Sequence, residues 1–501
     1  MYSRRMMEPG IQSLLPVAVT LVVALAARNV LAGLFSGVFV GALMLSDASA
    51  LQFLPQLVAR HIVPEVADGY NASVLVLLAF IGGFVKLIES SGGGEAFARS
   101  AVRWVSGRVR VQLAAWCGGI MIFFSDLGTP LIVGPVFQPL VDRLNVSRQK
   151  LAFILDSTSS PVAILIPFIG WGVFIMSVIA DAFSVNGIET SEWNAFVAAI
   201  PFQLYAWLAI CMVPLLALLR FDFGAMQLAE QQARQMKPAV FVESPSQSAA
   251  KPILVWLPLL VLGVTLFATL AQHGFPFAQV AGSDFRAGLS AAYFLAAVSL
   301  VLLTLMGRVQ TLQQSLNSYI DGITGMMPIA ATLILAWTLG AVSEALGTGP
   351  YVAELARDGL AGWLLPAVTF ALAAVISFAT GSSWGTIIIM MPLAVPAAVA
   401  TAAPLPVVIG AVLSGGLFGD HSSPVSETTI LSSTGAGTTP LEHFRTQLPY
   451  ALSNGALACA GFLAAGYLNA AWIVLPLLLA QLLLLVALRR RQLQPVHHTN
   501  P

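Results

Sequence analysis

Apolar runs of membrane-crossing length follow one another along this chain from residue 12 to residue 488, separated by short polar clusters. A helix needs about 20 apolar residues to cross a hydrocarbon core roughly 30 Å thick. The pattern therefore predicts an all-α polytopic membrane protein with about eleven to thirteen transmembrane or re-entrant helices. One segment departs clearly from this pattern. From Arg220 to Lys251 the chain carries Gln227, Glu230, Gln231, Gln232, Arg234, Gln235, Lys237, Glu243 and Ser244, too hydrophilic for lipid and suited to an aqueous loop that is helical in part. It divides the chain into an N-terminal membrane half, residues 1–219, and a C-terminal half, residues 252–491, followed by a tail at 492–501.

The two halves repeat one another. Glu89 before Ser90-Ser91-Gly92 is matched by Glu344 before Gly347, a shift of 344 − 89 = 255; Gly128-Thr129 with Pro135 and Pro139 by Gly385-Thr386 with Pro392 and Pro396, a shift of 385 − 128 = 257; and Ser159-Ser160-Pro161-Val162 by Ser422-Ser423-Pro424-Val425, a shift of 422 − 159 = 263. The repeats span about residues 70–180 and about 330–440. Connecting segments of the first carry Arg103, Arg108 and Arg110, then Arg143, Arg148 and Lys150; those of the second carry Glu354, Arg357 and Asp358, then the uncharged 401–406. Cytoplasmic loops collect Lys and Arg, so the repeats are expected in opposite orientations, with broken helices meeting at the bilayer midplane around a binding site. By the same rule the 220–251 loop, Arg4-Arg5 and Arg489-Arg490-Arg491 place the loop and both termini on the cytoplasmic side of a bacterial inner membrane.

Composition agrees: 57% of residues are hydrophobic and 9% charged, against about 25% charged in soluble domains. Lys and Arg balance Asp and Glu at 23 each, so nothing points to a nucleic-acid partner. The start has no small-residue cleavage site and reads as a first membrane helix that is kept. Cys117, Cys211 and Cys459 are scattered through apolar runs and read as small hydrophobes.

Chemistry concentrates in the run from Gly419 to Thr429, where Asp420, His421 and Glu427 stand among five hydroxyls inside apolar surroundings. A carboxylate near a bilayer centre costs roughly 2.5–3.5 kcal/mol, so such residues face a protein interior or a water-filled route for an ion or substrate. Three further clusters pair Gly or Pro with hydroxyls, as a broken helix requires: Ser125-Asp126-Leu127-Gly128-Thr129, Asp156 to Pro161, and Thr380 to Thr386. Asp126, Asp156 and Asp420 are the expected Na⁺ ligands, with Thr129, Ser157, Ser160, Ser382, Ser383, Thr386, Ser423, Ser426 and Glu427 completing the ion or substrate site. Such hard oxygen donors suit Na⁺. An enclosed carboxylate without a cation takes a proton, and one beside Na⁺ stays ionised, so one acid holds either ion but not both. His421 is expected to tune Asp420 or pass protons.

Plainer roles exist for each. Asp126 and Asp156 suit helix caps, Asp420 with His421 a structural pair, Glu427 a cap, and Ser382, Ser383 and Thr386 backbone satisfaction. Glu89 and Glu344 suit interfacial positions; Glu442, His443 and Arg445 suit a solvated loop. Enzyme chemistry is not expected: Ser91-Gly92-Gly93-Gly94 lacks the Lys-Ser/Thr of a phosphate loop, and Asp420-His421 beside serines is not triad geometry. No cofactor is expected beyond the transported ions.

The string from Phe418 to Ser433 resembles the signature of the NhaC-type sodium/proton antiporters of the ion transporter superfamily, and the run from Phe124-Ser125-Asp126 to Asp156-Ser157-Thr158-Ser159-Ser160-Pro161-Val162-Ala163 is similar to that family's other hallmark. The resemblance covers most of residues 70–465. The family motif usually has Cys at Ser422, Asp at Glu427, and an acidic-aromatic-Asn run at Asp126 to Thr129, so possible cation ligands are missing here. The resemblance implies exchange of Na⁺ for H⁺ by alternating access. It extends to relatives that exchange malate for lactate or move amino acids, which leaves a Na⁺- or H⁺-coupled carrier of an amino acid or small carboxylate as the alternative; Trp384 and the missing Asn suit that roomier pocket.

Overall fold

Helix length in this protein follows from where Gly, Pro and hydroxyl residues interrupt the apolar runs. The computed structural model describes residues 10–27, 29–46, 50–94, 96, 106–235, 250–274 and 282–493, and among them the regular structure is helical throughout, with twenty helices of ten or more residues, numbered α1 to α20. α1 (Leu15–Ala27) and α2 (Val30–Met44) pack on each other; α3 (Gly69–Ser90), α4 (Arg108–Met121), α5 (Gly128–Arg143), α6 (Arg148–Thr158) and α7 (Gly170–Val185) follow. After α8 (Leu204–Leu219) and α9 (Ala225–Gln235) come α10 (Ile253–Ala271), α11 (Gly282–Met306), α12 (Leu312–Gly325), α13 (Met327–Ala345) and α14 (Thr348–Gly359). The chain ends with α15 (Leu365–Thr380), α16 (Ser383–Ala400), α17 (Leu405–His421), α18 (Glu427–Ala436), α19 (Pro440–Leu468) and α20 (Val474–Leu493).

Among the described residues seven helices are long and apolar enough to cross a membrane, a pair bent by 46° passes together, and five apolar helices are shorter, in keeping with the expected eleven to thirteen spanning or re-entrant segments. The first apolar run is not one crossing. Asn29 caps α2, accepting from Ala32 N–H at 3.0 Å, so the run folds back as two helices of 13 and 15 residues, each short of the about 20 a crossing needs.

Four interruptions position the site. Between α4 and α5 the chain leaves the helix at 122–127, where Ser125 Oγ accepts Gly128 N–H at 2.9 Å and Thr129 Oγ1 donates to the carbonyls of Ile122 and Ser125 at 2.9 and 2.8 Å. Between α15 and α16 only Gly381 and Ser382 intervene. Gly381 has φ +66°, and a Cβ there would lie 2.9 Å from the Val425 carbonyl, so glycine serves both the left-handed turn and the close approach. Ser382 then caps α16. α6 stops at Ser159, and α17 stops before the turn 422–426. A long helix, a helix–break–helix and a helix ending in a second break thus occur in the same order in each half: α3, α4–α5, α6 and α13, α15–α16, α17. Where α5 of the first half crosses α18 of the second, a Cβ on Gly134 would overlap the Gly435 backbone, and one on Gly435 the Pro130 carbonyl. The two helices meet backbone to backbone.

The polar segment after α8 is less aqueous than its composition predicts. Its helix α9 lies against the turn between α5 and α6: Glu230, 2% exposed, accepts Ser147 N–H at 2.7 Å and pairs with Arg108, while Asn145 Nδ2 donates to the Ala233 carbonyl at 2.9 Å. Lys150, fully buried, meets Asp222 at 2.5 Å, and Tyr450 OH donates to the same oxygen at 2.6 Å. Pairing offsets the cost of burying these charges, which composition cannot register. Arg4, Arg5, Arg103, Lys237, Glu243, Ser244 and the tail beyond residue 493 lie outside the described residues.

Candidate functional site

A cavity of about 430 Å³ runs between α3, α12 and α13 to the ends of three interrupted helices. Its inner end holds Ser125 and Asp126 from the first break, Ser382 and Trp384 from the second, and Glu427 at the start of α18. Asp126 is fixed by Trp171, whose Nε1–H donates to Oδ2 at 2.6 Å. The Trp171 and Trp384 rings lie 4.5 Å apart, and Phe174 packs on Trp384 at 4.3 Å, which gives the floor one rigid aromatic wall. Glu89 joins the lining: its Oε1 accepts Ser125 Oγ–H at 3.0 Å and its Oε2 meets Lys86 at 3.3 Å. Glu89, for which an interfacial position was expected, thus also reaches the cavity, through its bond to the break residue Ser125. With Asp321, four acids face one base, Lys86, around the cavity, a field that attracts cations.

Asp156 and Asp420 do not line this cavity; they lie behind it in the protein interior. Asp420, 2% exposed, accepts Ser426 Oγ–H and Thr428 Oγ1–H, both at 2.7 Å. Asp156, fully buried, accepts Ser432 Oγ–H on Oδ1 at 3.2 Å and the Gln447 amide on Oδ2. Two imidazoles face that second oxygen, His443 Nε2 at 3.5 Å and His421 Nε2 at 4.0 Å. His421 turns its other nitrogen to Tyr205 OH at 3.4 Å. It therefore partners Asp156, on another helix, and not its sequence neighbour Asp420, because successive residues on a helix point about 100° apart.

The predicted hydroxyls fall into distinct roles. Ser426 serves Asp420 directly. Thr129 and Thr386 donate to backbone carbonyls, Thr386 to Ser382 at 2.8 Å, and Ser382 Oγ accepts Gly385 N–H at 3.2 Å while facing the cavity. Ser423 Oγ accepts Val425 N–H at 3.4 Å, and its carbonyl accepts Thr429 Oγ1–H at 3.2 Å. Ser157, Ser160 and Ser383 are buried away from the cavity. The solvated loop expected at 442–445 is the first turn of α19, with Glu442 closing a capping box on Thr439. His443 is fully buried there. Sequence reasoning missed it with Gln447, although His443, Thr446, Gln447, Tyr450 and Asn454 recur at three- and four-residue spacing as one buried polar stripe along α19.

Interrupted helices, an acid-lined cavity ending on them, and further acids enclosed behind it define a multi-pass membrane transporter. The chain belongs to the Na⁺/H⁺ antiporter family, whose sequence profile matches residues 162–467; the run from Gly419 to Thr429 falls inside that match, and the NhaC-type resemblance is borne out. An uncharacterized protein of Haemophilus influenzae is 32% identical over 477 residues, 91% of each chain. The malate-2H⁺/Na⁺-lactate antiporter of Bacillus subtilis is 34% identical over 136 residues, 26% of this chain and 28% of that one. The YdaH transporter of Alcanivorax borkumensis shares the fold, with a TM-score of 0.55 at 16% identity over 93% of this chain and 100% of that one.

Proposed function

We propose that this protein is a secondary antiporter that exchanges Na⁺ for H⁺ across a bacterial inner membrane by alternating access, with both termini cytoplasmic and the two repeats oppositely oriented. The observation that carries the reading is Asp126, held by Trp171 where an acid-lined cavity meets an interrupted helix. A carboxylate so placed exchanges a proton for a cation, and freed backbone carbonyls with Ser382 add hard oxygen ligands. The enclosed acids Asp156 and Asp420 complete the exchanging set. Gradients drive the cycle, and no cofactor enters it.

A second reading rests on the volume. About 430 Å³ exceeds what one Na⁺ fills, and the tryptophan pair offers an apolar wall, so a coupled organic solute fits as well. The excess of acids disfavours a simple carboxylate anion and favours an amino acid, whose ammonium group would face Asp126 or Glu427. The B. subtilis relative, which by its name handles malate and lactate, keeps the carboxylate alternative in the test. Proteoliposomes loaded at low pH should take up ²²Na⁺ when an outward proton gradient is imposed. Accumulation of a labelled amino acid or dicarboxylate from a parallel panel, without Na⁺/H⁺ exchange, would overturn the first reading in favour of the second.

A further inference from the structure

We propose that Asp156, His421 and His443 form a proton-carrying centre separate from the cavity, so that a proton is held at a second site besides the cavity carboxylate Asp126. The inference rests on the proposed proton coupling and adds the place where the proton resides. Both ring nitrogens of His443 and Nε2 of His421 are buried without a hydrogen-bond partner, as are Oγ of Ser160, which follows Asp156 by one turn, and Oγ of Ser422, beside His421. A histidine that serves only packing in a core is normally hydrogen-bonded, because a buried polar group left without a partner forfeits the hydrogen bonds it made to water. Here the unpartnered nitrogens converge on one carboxylate oxygen, at 3.5 and 4.0 Å.

A proton fits this place better than a metal cation. Donors already occupy Asp156: Ser432 on Oδ1 and the Gln447 amide on Oδ2. The remaining groups are nitrogens, not the oxygen shell Na⁺ requires. Among the described residues no three His, Cys, Asp or Glu side chains are arranged to hold a metal ion. A proton bound at His443 Nε2 turns an N–H toward Asp156 Oδ2 and takes the group of one carboxylate and two imidazoles from one negative charge to zero; release returns the same proton. The titratable groups facing Asp156 from the surrounding elements are His421 and Asp420 on α17, His443 on α19 and Tyr205 on α8, while α18 contributes the uncharged Ser432. Gln447 Nε2 also donates to the His421 carbonyl at 3.0 Å, so a change of charge at Asp156 is felt by α6, α17 and α19 together.

The test uses the full chain in lipid. Infrared difference spectra between acid and alkaline pH should contain imidazole bands that vanish in His443→Gln and shift in Asp156→Asn, which keeps the side-chain volume. Histidine bands identical to wild type in both variants would overturn the proposal. In proteoliposomes, the number of protons moved per ²²Na⁺ should collapse in His443→Gln, read from a lumenal pH dye beside isotope flux; an unchanged ratio would also overturn it. A wild-type protein that moves no Na⁺ yet shows the His443 bands would refute the Na⁺/H⁺ reading and leave the proton centre standing.

Discussion

Replacing Asp126 by Asn preserves the side-chain volume and an oxygen for the Trp171 Nε1–H, now 2.6 Å from Oδ2, and removes only the charge. Hydrogen bonds to charged groups contribute about 1.5–3 kcal/mol and neutral ones about 0.5–1.5 kcal/mol, so the anchor weakens by about 1 kcal/mol and the fold is kept. The larger change concerns a cation in the cavity. At about 4 Å from a carboxylate, with an effective dielectric constant of about 20, a unit charge is held by about 4 kcal/mol, equivalent to about a thousandfold in affinity. Glu89, Asp321 and Glu427 share the cavity and retain part of that attraction, so the expected weakening is about a hundredfold. The assay is ²²Na⁺ counterflow in proteoliposomes with equal pH on both sides, read as apparent KM, with Asp126→Glu beside it to restore the charge at a shifted position. Ionised Asp126 holds Na⁺ and protonated Asp126 does not, so wild-type affinity falls as pH drops, about tenfold per unit below the pKa of the site, and the Asn variant loses that dependence. A change in KM of less than about threefold, or partial restoration absent in the Glu variant, would show that the Asp126 charge is not felt by the transported ion.

Lys150→Met leaves Asp222 with Tyr450 as its described partner at the α6–α9 contact; breaking a buried pair from one side costs about 3–5 kcal/mol, and a loss below about 1 kcal/mol in detergent unfolding would mean that the pair is effectively solvated. The opposite orientation of the repeats is tested with Arg143→Cys, exposed at the last residue of α5, and Ala402→Cys, exposed in the turn after α16, in a chain whose Cys117, Cys211 and Cys459 have been replaced. An impermeant maleimide applied to intact cells should label position 402 and spare position 143, and labelling of both from one side rules the inversion out.

The sequence exposed the helical interruptions because Gly381, Ser382, Ser125 and Thr129 are the residue types that turn a chain and cap the next helix, and a local signal suffices for a local feature. It also exposed the run from Gly419 to Thr429, whose charges stand out against apolar neighbours. It did not expose how these acids divide between two compartments. That Asp126 meets Trp171, 45 residues away, and Asp156 meets Gln447, 291 residues away, depends on how helices cross, and crossing geometry leaves no trace in the order of residues. His443 was hidden by exposed neighbours: Glu442 and Arg445 face outward on the same turn, and only the three- and four-residue spacing of the stripe behind it separates a buried face from a solvated one. Burial of Glu230 was masked in the same way by the polar residues around it.

The bare crossing of Gly134 and Gly435 bears on how the two halves can travel. Surfaces lined with side chains shear past one another by trading rotamers, but two backbones in direct contact have nothing to trade. Under the proposed alternating access, a change that keeps the helices intact would turn about this crossing and would not slide through it. Ser432, which bonds Asp156, sits three residues from Gly435, whereas Asp126 lies eight residues from Gly134, within the unwound stretch. In such a turn the acid wrapped by histidines, bonded three residues from the crossing, would be tied to the hub, whereas the acid in the cavity would be carried with the stretch beyond the N-terminal end of α5.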